Sequence, residues 1–218
     1  MSFQFAYLLS IMPRLCTAAL VNVRLAIVIA VLAIAGGTAL TLLRVAKIAP
    51  VNAAVALMIS FIRGTPLLIQ IFLFYYVLPV IGLDLAPETA GVAAIALNSS
   101  IFISETMRGG LQTIDPGQVE AASALSLSRR AIWQRVILPQ LFRRILPVLV
   151  NEITIVVKGT ALLSMITVVD VLRTAQQIAS ASYRPFETLV GAAILFLAMN
   201  LVVIFAGMRG ESRLVVRG

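Results

Sequence analysis

LAIVIAVLAIAGGTALTLL, residues 25–43, is a run of 19 residues without a charge, closed by Arg44 and Lys47. As a helix rising 1.5 Å per residue it measures about 28 Å, the thickness of bilayer hydrocarbon. It begins far from Met1 and lacks a small-residue cleavage pattern behind a compact apolar core, so it reads as a permanent anchor rather than a removed signal peptide. Outward from it, residues 64–83, 89–104 and 188–208 repeat the pattern. Residues 145–164 do so with polar cargo, Asn151, Glu152 and Lys158. The expectation is an all-α, polytopic membrane protein of about five transmembrane helices.

Composition agrees, with 61% hydrophobic and 12% charged residues, which excludes a water-soluble monomer. After five spans the remainder suffices for loops and one modest extramembrane element, so residues 1–218 read as a single membrane domain. The chain has no histidine and a lone cysteine, Cys16. Histidine-based acid–base catalysis, Ser-His-Asp triads, histidine-ligated metals and an intrachain disulfide are thereby excluded.

The net charge of +8 belongs to membrane topology and not to nucleic acid. With the N-terminus outside, Arg44, Lys47, Arg108, Arg129, Arg130, Arg135, Arg143, Arg144, Arg209, Arg213 and Arg217 fall inside, whereas the 81–88 loop carries only acids. The C-terminus is then cytoplasmic.

Two stretches predict broken spans. At Arg63-Gly64-Thr65-Pro66 a proline in the first turn of a helix costs no hydrogen bond, so the upstream segment either stops there or runs on as one helix from residue 51. Residues 161–169 are apolar but too short to cross; a re-entrant or bent helix leading to a 173–184 loop is expected.

Polar residues inside spans are the pathway candidates, because a charge in hydrocarbon needs a partner or a wet cavity. Glu152 is the foremost, facing either cargo or a basic neighbour such as Arg63 or Lys158. Asn98, Phe102 and Glu105 share one helical face, although Glu105 and Arg108, three apart, also suffice as a local ion pair, as do Asp170 and Arg173. Phe72, Phe74, Tyr75 and Tyr76 read as an interfacial anchor rather than a cation cage. Gly36-Gly37 and Gly109-Gly110 read as sites of close helix approach or a turn; no Lys-Ser/Thr follows them to make a nucleotide loop.

The longest polar interruption, 108–144, predicts a cytoplasmic helix pair. Asp115 or Pro116-Gly117 opens it, a short helix covers 119–127, and Ser126 or Ser128 caps a second helix from about Arg129. Glu120-Ala121-Ala122 followed by Ile137-Leu138-Pro139 resembles the coupling-loop signature of ATP-binding-cassette (ABC) importer permeases. Arg63-Gly64-Thr65-Pro66-Leu67-Leu68-Ile69-Gln70, and Arg108-Gly109-Gly110 with Gln118-Val119-Glu120-Ala121-Ala122, resemble its polar amino-acid branch.

The resemblance implies a type I importer permease fold in a bacterial inner membrane, with a coupling loop at 111–139. Gln118, Glu120, Ala121, Ala122, Ser126, Ile137, Leu138 and Pro139 would form the ATPase-coupling surface. Arg63, Thr65, Asn98, Phe102, Glu105, Glu152 and Lys158 would be candidates for the substrate pathway. It implies partners: ATP-binding cassette ATPase subunits, an identical or homologous second permease, and an extracytoplasmic solute-binding protein, besides membrane lipid. It implies no cofactor in this chain, ATP and Mg being bound by the partner ATPase.

Departures bear on cargo. The family commonly has Gly at the position of Ser126, Lys-Asp-Thr-Ser-Leu where Lys158-Gly159-Thr160-Ala161-Leu162 stands, and Tyr and Ala at Phe102 and Ser104. These imply an altered selectivity or a partner subunit carrying the missing groups. The competing readings are a stand-alone secondary carrier or channel, which calls for an internal repeat not evident in the sequence, and a membrane enzyme, for which no nucleophile–base or metal constellation is present.

Overall fold

The computed structural model describes residues 3–46 and 48–215; Lys47 and Arg217, counted above in the cytoplasmic charge, lie outside them. Among the described residues it is helical, without strands. The elements are α1 (Phe5–Val45), α2 (Ala49–Gly64), α3 (Leu67–Phe72), α4 (Pro87–Gln112), α5 (Pro116–Ala124), α6 (Arg129–Ile132), α7 (Leu138–Gly159), α8 (Val171–Ser182) and α9 (Pro185–Val215). A π turn (Leu73–Val77) and a 3-10 turn (Leu78–Ile81) continue α3, a π turn (Trp133–Ile137) joins α6 to α7, and a 3-10 helix (Thr160–Ile166) continues α7.

The 25–43 stretch is only the second part of a 41-residue helix. Arg14 and Arg24 look like boundaries in a hydropathy reading, yet burial at Leu8, Ile11, Leu15, Ala18, Asn22 and Leu25 continues at spacings of three and four, the mark of one helical face. The first half packs on α8 and α9 through Leu8, Ile11, Leu15, Val171, Ala175, Ile178 and Ala192. The second half lies along α4 and α7, where Ala33, Ile103, Met107, Leu141, Ile145 and Leu149 form one cluster.

Ion pairs tie α1 to α4 at two levels. Arg24 Nη2 lies 2.6 Å from Glu88 Oε2, and Arg44 pairs with Glu105. Twenty residues of helix, roughly 30 Å, separate the two arginines, matching the hydrocarbon thickness.

The break at Thr65-Pro66 is real: the axes on either side differ by 113°. Among the described residues there are four helices long and apolar enough to cross a membrane, and a fifth span if the bent pair counts as one. Both π turns precede a proline by two residues, Pro79 and Pro139. A proline removes the donor to the carbonyl four residues back and its ring pushes against that carbonyl; widening the turn relieves both. The expected 173–184 loop is instead mostly helix, α8. Its small residues hid a helix whose buried face, Val171, Thr174, Ala175 and Ile178, repeats at helical spacing.

Gly37 sets the distance between α1 and α4. A Cβ there would fall 2.6 Å from Ile103 Cγ2 and 2.9 Å from Ser100 O, whereas one at Gly109 would meet nothing within 4 Å. Gly37→Leu should therefore destabilise the folded chain by about 1–3 kcal/mol, read as lower melting temperature and poorer detergent-stable yield. Gly109→Ala should be neutral or gain about 0.5–1 kcal/mol from helix propensity. Equal melting temperatures for the two variants would contradict the close-contact assignment.

Candidate functional site

Residues 113–139 fold into a tied-down projection. Asp115 caps α5, its carboxylate accepting from Gly117 N at 2.9 Å, so the helix starts and ends three residues before the 119–127 expectation. Ser128 caps α6 by accepting from Ala131 N. Ser126 is no cap: it stands at φ +58°, in the left-handed turn between the helices. This is the position at which the related motif carries glycine, and here a Cβ is held where L-residues are strained.

Gln140 Nε2 of α7 donates to Gln118 Oε1 of α5 at 2.7 Å, and Arg144 of α7 donates to Thr113 at the end of α4. α5 is thus tied to α7, and α7 to the end of α4. Glu120 and Ala121 are exposed. Ala122 is buried within the chain, as α5 packs on α6 and the π turn, so it seats the helix internally and offers no surface. Ile137 and Leu138 are half-buried and Pro139 begins α7. Leu125, absent from the expectations, is 77% exposed at the tip. An apolar residue in an amphipathic reading is assigned to the core, and only the short helix that ends before it turns it outward.

Within the membrane the polar side chains gather on α4. Gln70 Nε2 donates to Ile62 O (2.8 Å), Thr65 O (3.0 Å) and Thr65 Oγ1 (3.0 Å), covering carbonyls freed by the break. Its Oε1 accepts from Asn98 Nδ2 at 2.9 Å. The neighbouring Ser99 side chain faces Glu152 of α7. Glu152 is buried and, among the described residues, its partner is that side chain; the expected pairing with Arg63 or Lys158 does not form, and both of those side chains are exposed. Asn151, Ile155 and Lys158 share an exposed face of α7, about 100° around the helix from Glu152.

Glu105 takes the local explanation: it is bonded by Arg44 and by Arg108 (3.1 Å). Phe102, on the same helix, is exposed. Asp170 and Arg173 make no such pair. Asp170 Oδ1 caps α8 by accepting from Arg173 N at 2.8 Å, and its Oδ2 accepts from Asn22 Nδ2. Asn22 also donates to Thr160 Oγ1 at 2.9 Å and accepts from Val171 N at 3.1 Å. Asn22, Thr160 and Asp170 are fully buried, a network spanning some 150 residues of sequence that no local pattern announces. Phe72 and Tyr75 stack edge-to-face on Tyr76, which is exposed, and Phe72, Phe74 and Tyr75 also pack against the core.

Residues 42–214 match the family described as the binding-protein-dependent transport system inner membrane component. The chain belongs to that family. The permease is 31% identical to the arginine transport system permease protein of Bacillus subtilis (strain 168), over 98% of both chains. It is 34% identical to the nopaline transport system permease protein of Agrobacterium fabrum, over 91% of this chain and 84% of that one. Its fold superposes with a TM-score of 0.89 on a chain from the crystal structure of an amino acid ABC transporter with histidines, at 33% identity, covering 98% of this chain and 100% of that chain. A methionine ABC transporter in an inward-facing conformation shares the fold at TM-score 0.70 and 16% identity, over 98% of this chain and 99% of that one.

Type I permease architecture, a membrane location and a transport role accordingly stand. The stand-alone carrier is displaced by the family assignment, and among the described residues no cluster suited to a metal ion occurs.

Two consequences are measurable. Ser126→Gly in the permease should relieve the left-handed strain and stabilise the 124–128 turn by about 0.5–1 kcal/mol, seen as slower amide exchange there; faster exchange would contradict it. Glu152→Gln keeps an acceptor for Ser99 and strands no cation, so assembled yield should stay at the wild-type level. A collapse in yield would show that Glu152 has a charged partner.

Proposed function

We propose that this permease forms the membrane path of an ATP-driven importer moving polar amino acids or related compounds, delivered by an extracytoplasmic solute-binding protein, into the cytoplasm. The observation that carries the reading is the full-length likeness, at 31–34% identity, to permeases named for arginine and nopaline transport. The N-terminus lies outside and the C-terminus inside, and residues 1–218 act as one permease domain.

Residues 111–139 are the coupling loop, with Glu120, Ala121 and Leu125 presented to a separate ATPase subunit; Gln118, Ser126, Ile137, Leu138 and Pro139 hold it in position. ATP and Mg are bound by that partner. A second permease, identical or homologous, covers the exposed Asn151 and Lys158 face of α7, so Lys158, Arg63 and Phe102 line the route between two subunits. Thr65, Asn98 and Glu152 keep its walls in register, and Glu105 does so at one end. A zwitterionic cargo needs groups of both signs or oriented helix ends in a hydrated cavity, and the two exposed cations supply one sign.

Reconstitution with the partner ATPase and binding protein tests both halves. Uptake of labelled arginine or glutamine should be competed by polar amino acids and opines; ATPase stimulation only by a sugar-loaded or metal-loaded binding protein would overturn the cargo class. Glu120→Lys and Leu125→Asp should each cut ATP-driven uptake at least tenfold with insertion intact, and unchanged uptake in both would remove α5 from the coupling role.

A further inference from the structure

A cleft of about 270 Å³ opens where α1 ends, lined by Thr41, Arg44, Val45, Asn52 and Arg108. Its electrostatics are set by three side chains. Glu105 neutralises one of the two arginines that grip it: Arg108 Nε and Nη2 reach its carboxylate at 3.3 and 3.1 Å, and Arg44 Nη1 bonds Oε1. Each guanidinium has five N–H donors, so donors remain beyond those bonds, and the trio keeps one net positive charge. Asn52 stands in the first turn of α2, the end at which a helix is partially positive. Its Oδ1 is buried and accepts no hydrogen bond. Leu42, Leu43 and Val45 are exposed beside the cleft, and Arg44 closes the apolar run at the level where hydrocarbon gives way to headgroups.

We infer that this cleft binds the headgroup of a phospholipid, its phosphodiester held by Arg44 and Arg108 and a donor beyond the phosphate, the hydroxyl of glycerol or the ammonium of ethanolamine, given to Asn52 Oδ1. A phosphodiester carries a single negative charge, the complement of the trio's net charge. Guanidinium groups are suited to phosphate oxygens. The unpaired acceptor discriminates between headgroups: phosphatidylcholine has no donor at its headgroup terminus, whereas glycerol and ethanolamine headgroups do. The flanking leucines and valine supply the surface along which acyl chains lie. Basic pockets between spans are recognised headgroup sites in general, and this one sits on the ion-pair junction that ties α1 to α4. Lipid bound there braces the end of α4 from which the coupling segment departs.

The assembled transporter, purified in mild detergent, is incubated with deuterated phosphatidylglycerol, phosphatidylethanolamine or phosphatidylcholine, and retained lipid is counted by native mass spectrometry. Wild-type complex should retain the first two at least fivefold better than phosphatidylcholine. Asn52→Leu leaves the arginines and their ion pair untouched, so it tests the site without threatening the fold; it should erase that preference. Arg108→Gln, which keeps a hydrogen bond to Glu105, should lower retention of all three lipids. Equal retention by wild type and both variants would overturn the site. Stripping of bound lipid by 10 mM inorganic phosphate, with phosphate retention sharing the Arg108 dependence, would overturn the lipid and assign the cleft to soluble phosphate.

Discussion

Gln70 and Asn22, both almost completely buried, hold the two points at which the spans stop being regular helix. Backbone carbonyls and amides in a membrane interior have no water to bond, and each one left open costs several kcal/mol. At the α2–α3 break the Gln70 amide closes on Ile62 O and Thr65 O. At the turn into α8, Asn22 takes the Val171 N–H while Asp170 takes that of Arg173. Without these side chains the 113° corner and the turn into α8 would expose unsatisfied backbone, and the chain would have to run as longer, straighter helices.

Because both locks reach across to other helices, they do more than close backbone. Gln70 is bonded to Asn98 of α4, beside Ser99, whose side chain faces Glu152 of α7. Asn22 belongs to α1 and binds Thr160, at the end of α7. The corner, α4, α7 and α1 are therefore one hydrogen-bonded frame. In the proposed coupling role, a displacement entering through the Gln118–Gln140 and Arg144–Thr113 bonds meets α7 at the end opposite to Thr160 and α4 at its C-terminus. Such a frame favours movement of whole helices over local bending, as expected of packed interiors that switch between discrete arrangements.

The legible parts of this design were those encoded locally. Uncharged runs marked the spans, Pro66 marked the corner, Asp115 and Ser128 marked caps, and the three-residue spacing of Glu105 and Arg108 gave their pair. What was illegible depends on residues far apart in sequence. Nothing near Asn22 signals that its partners are Thr160 and Asp170, and the same polar letters at 170 and 173 suggested an ion pair that the capping geometry replaces. Arg14 and Arg24 mimicked span ends because hydropathy scores a side chain by its charge, whereas Arg24 satisfies that charge on Glu88 and lets the helix continue. Leu125 escaped notice because exposure of a single apolar residue is a property of where a helix ends.

At the Lys158-Gly159 departure, position 159 looks onto apolar side chains. Gly159 is buried, and its missing Cβ points toward Leu67 Cδ2 at 3.5 Å and Ile95 Cγ2 at 3.9 Å. A Cβ would fit there at ordinary contact distances, so the cost of the acid of the related motif would lie in burying its charge beside apolar side chains rather than in its size. Lys158, one residue earlier, is exposed and forms no ion pair among the described residues. Under the function proposed above, this exposed cation is where a second permease or the carboxylate of an amino acid in transit meets the chain.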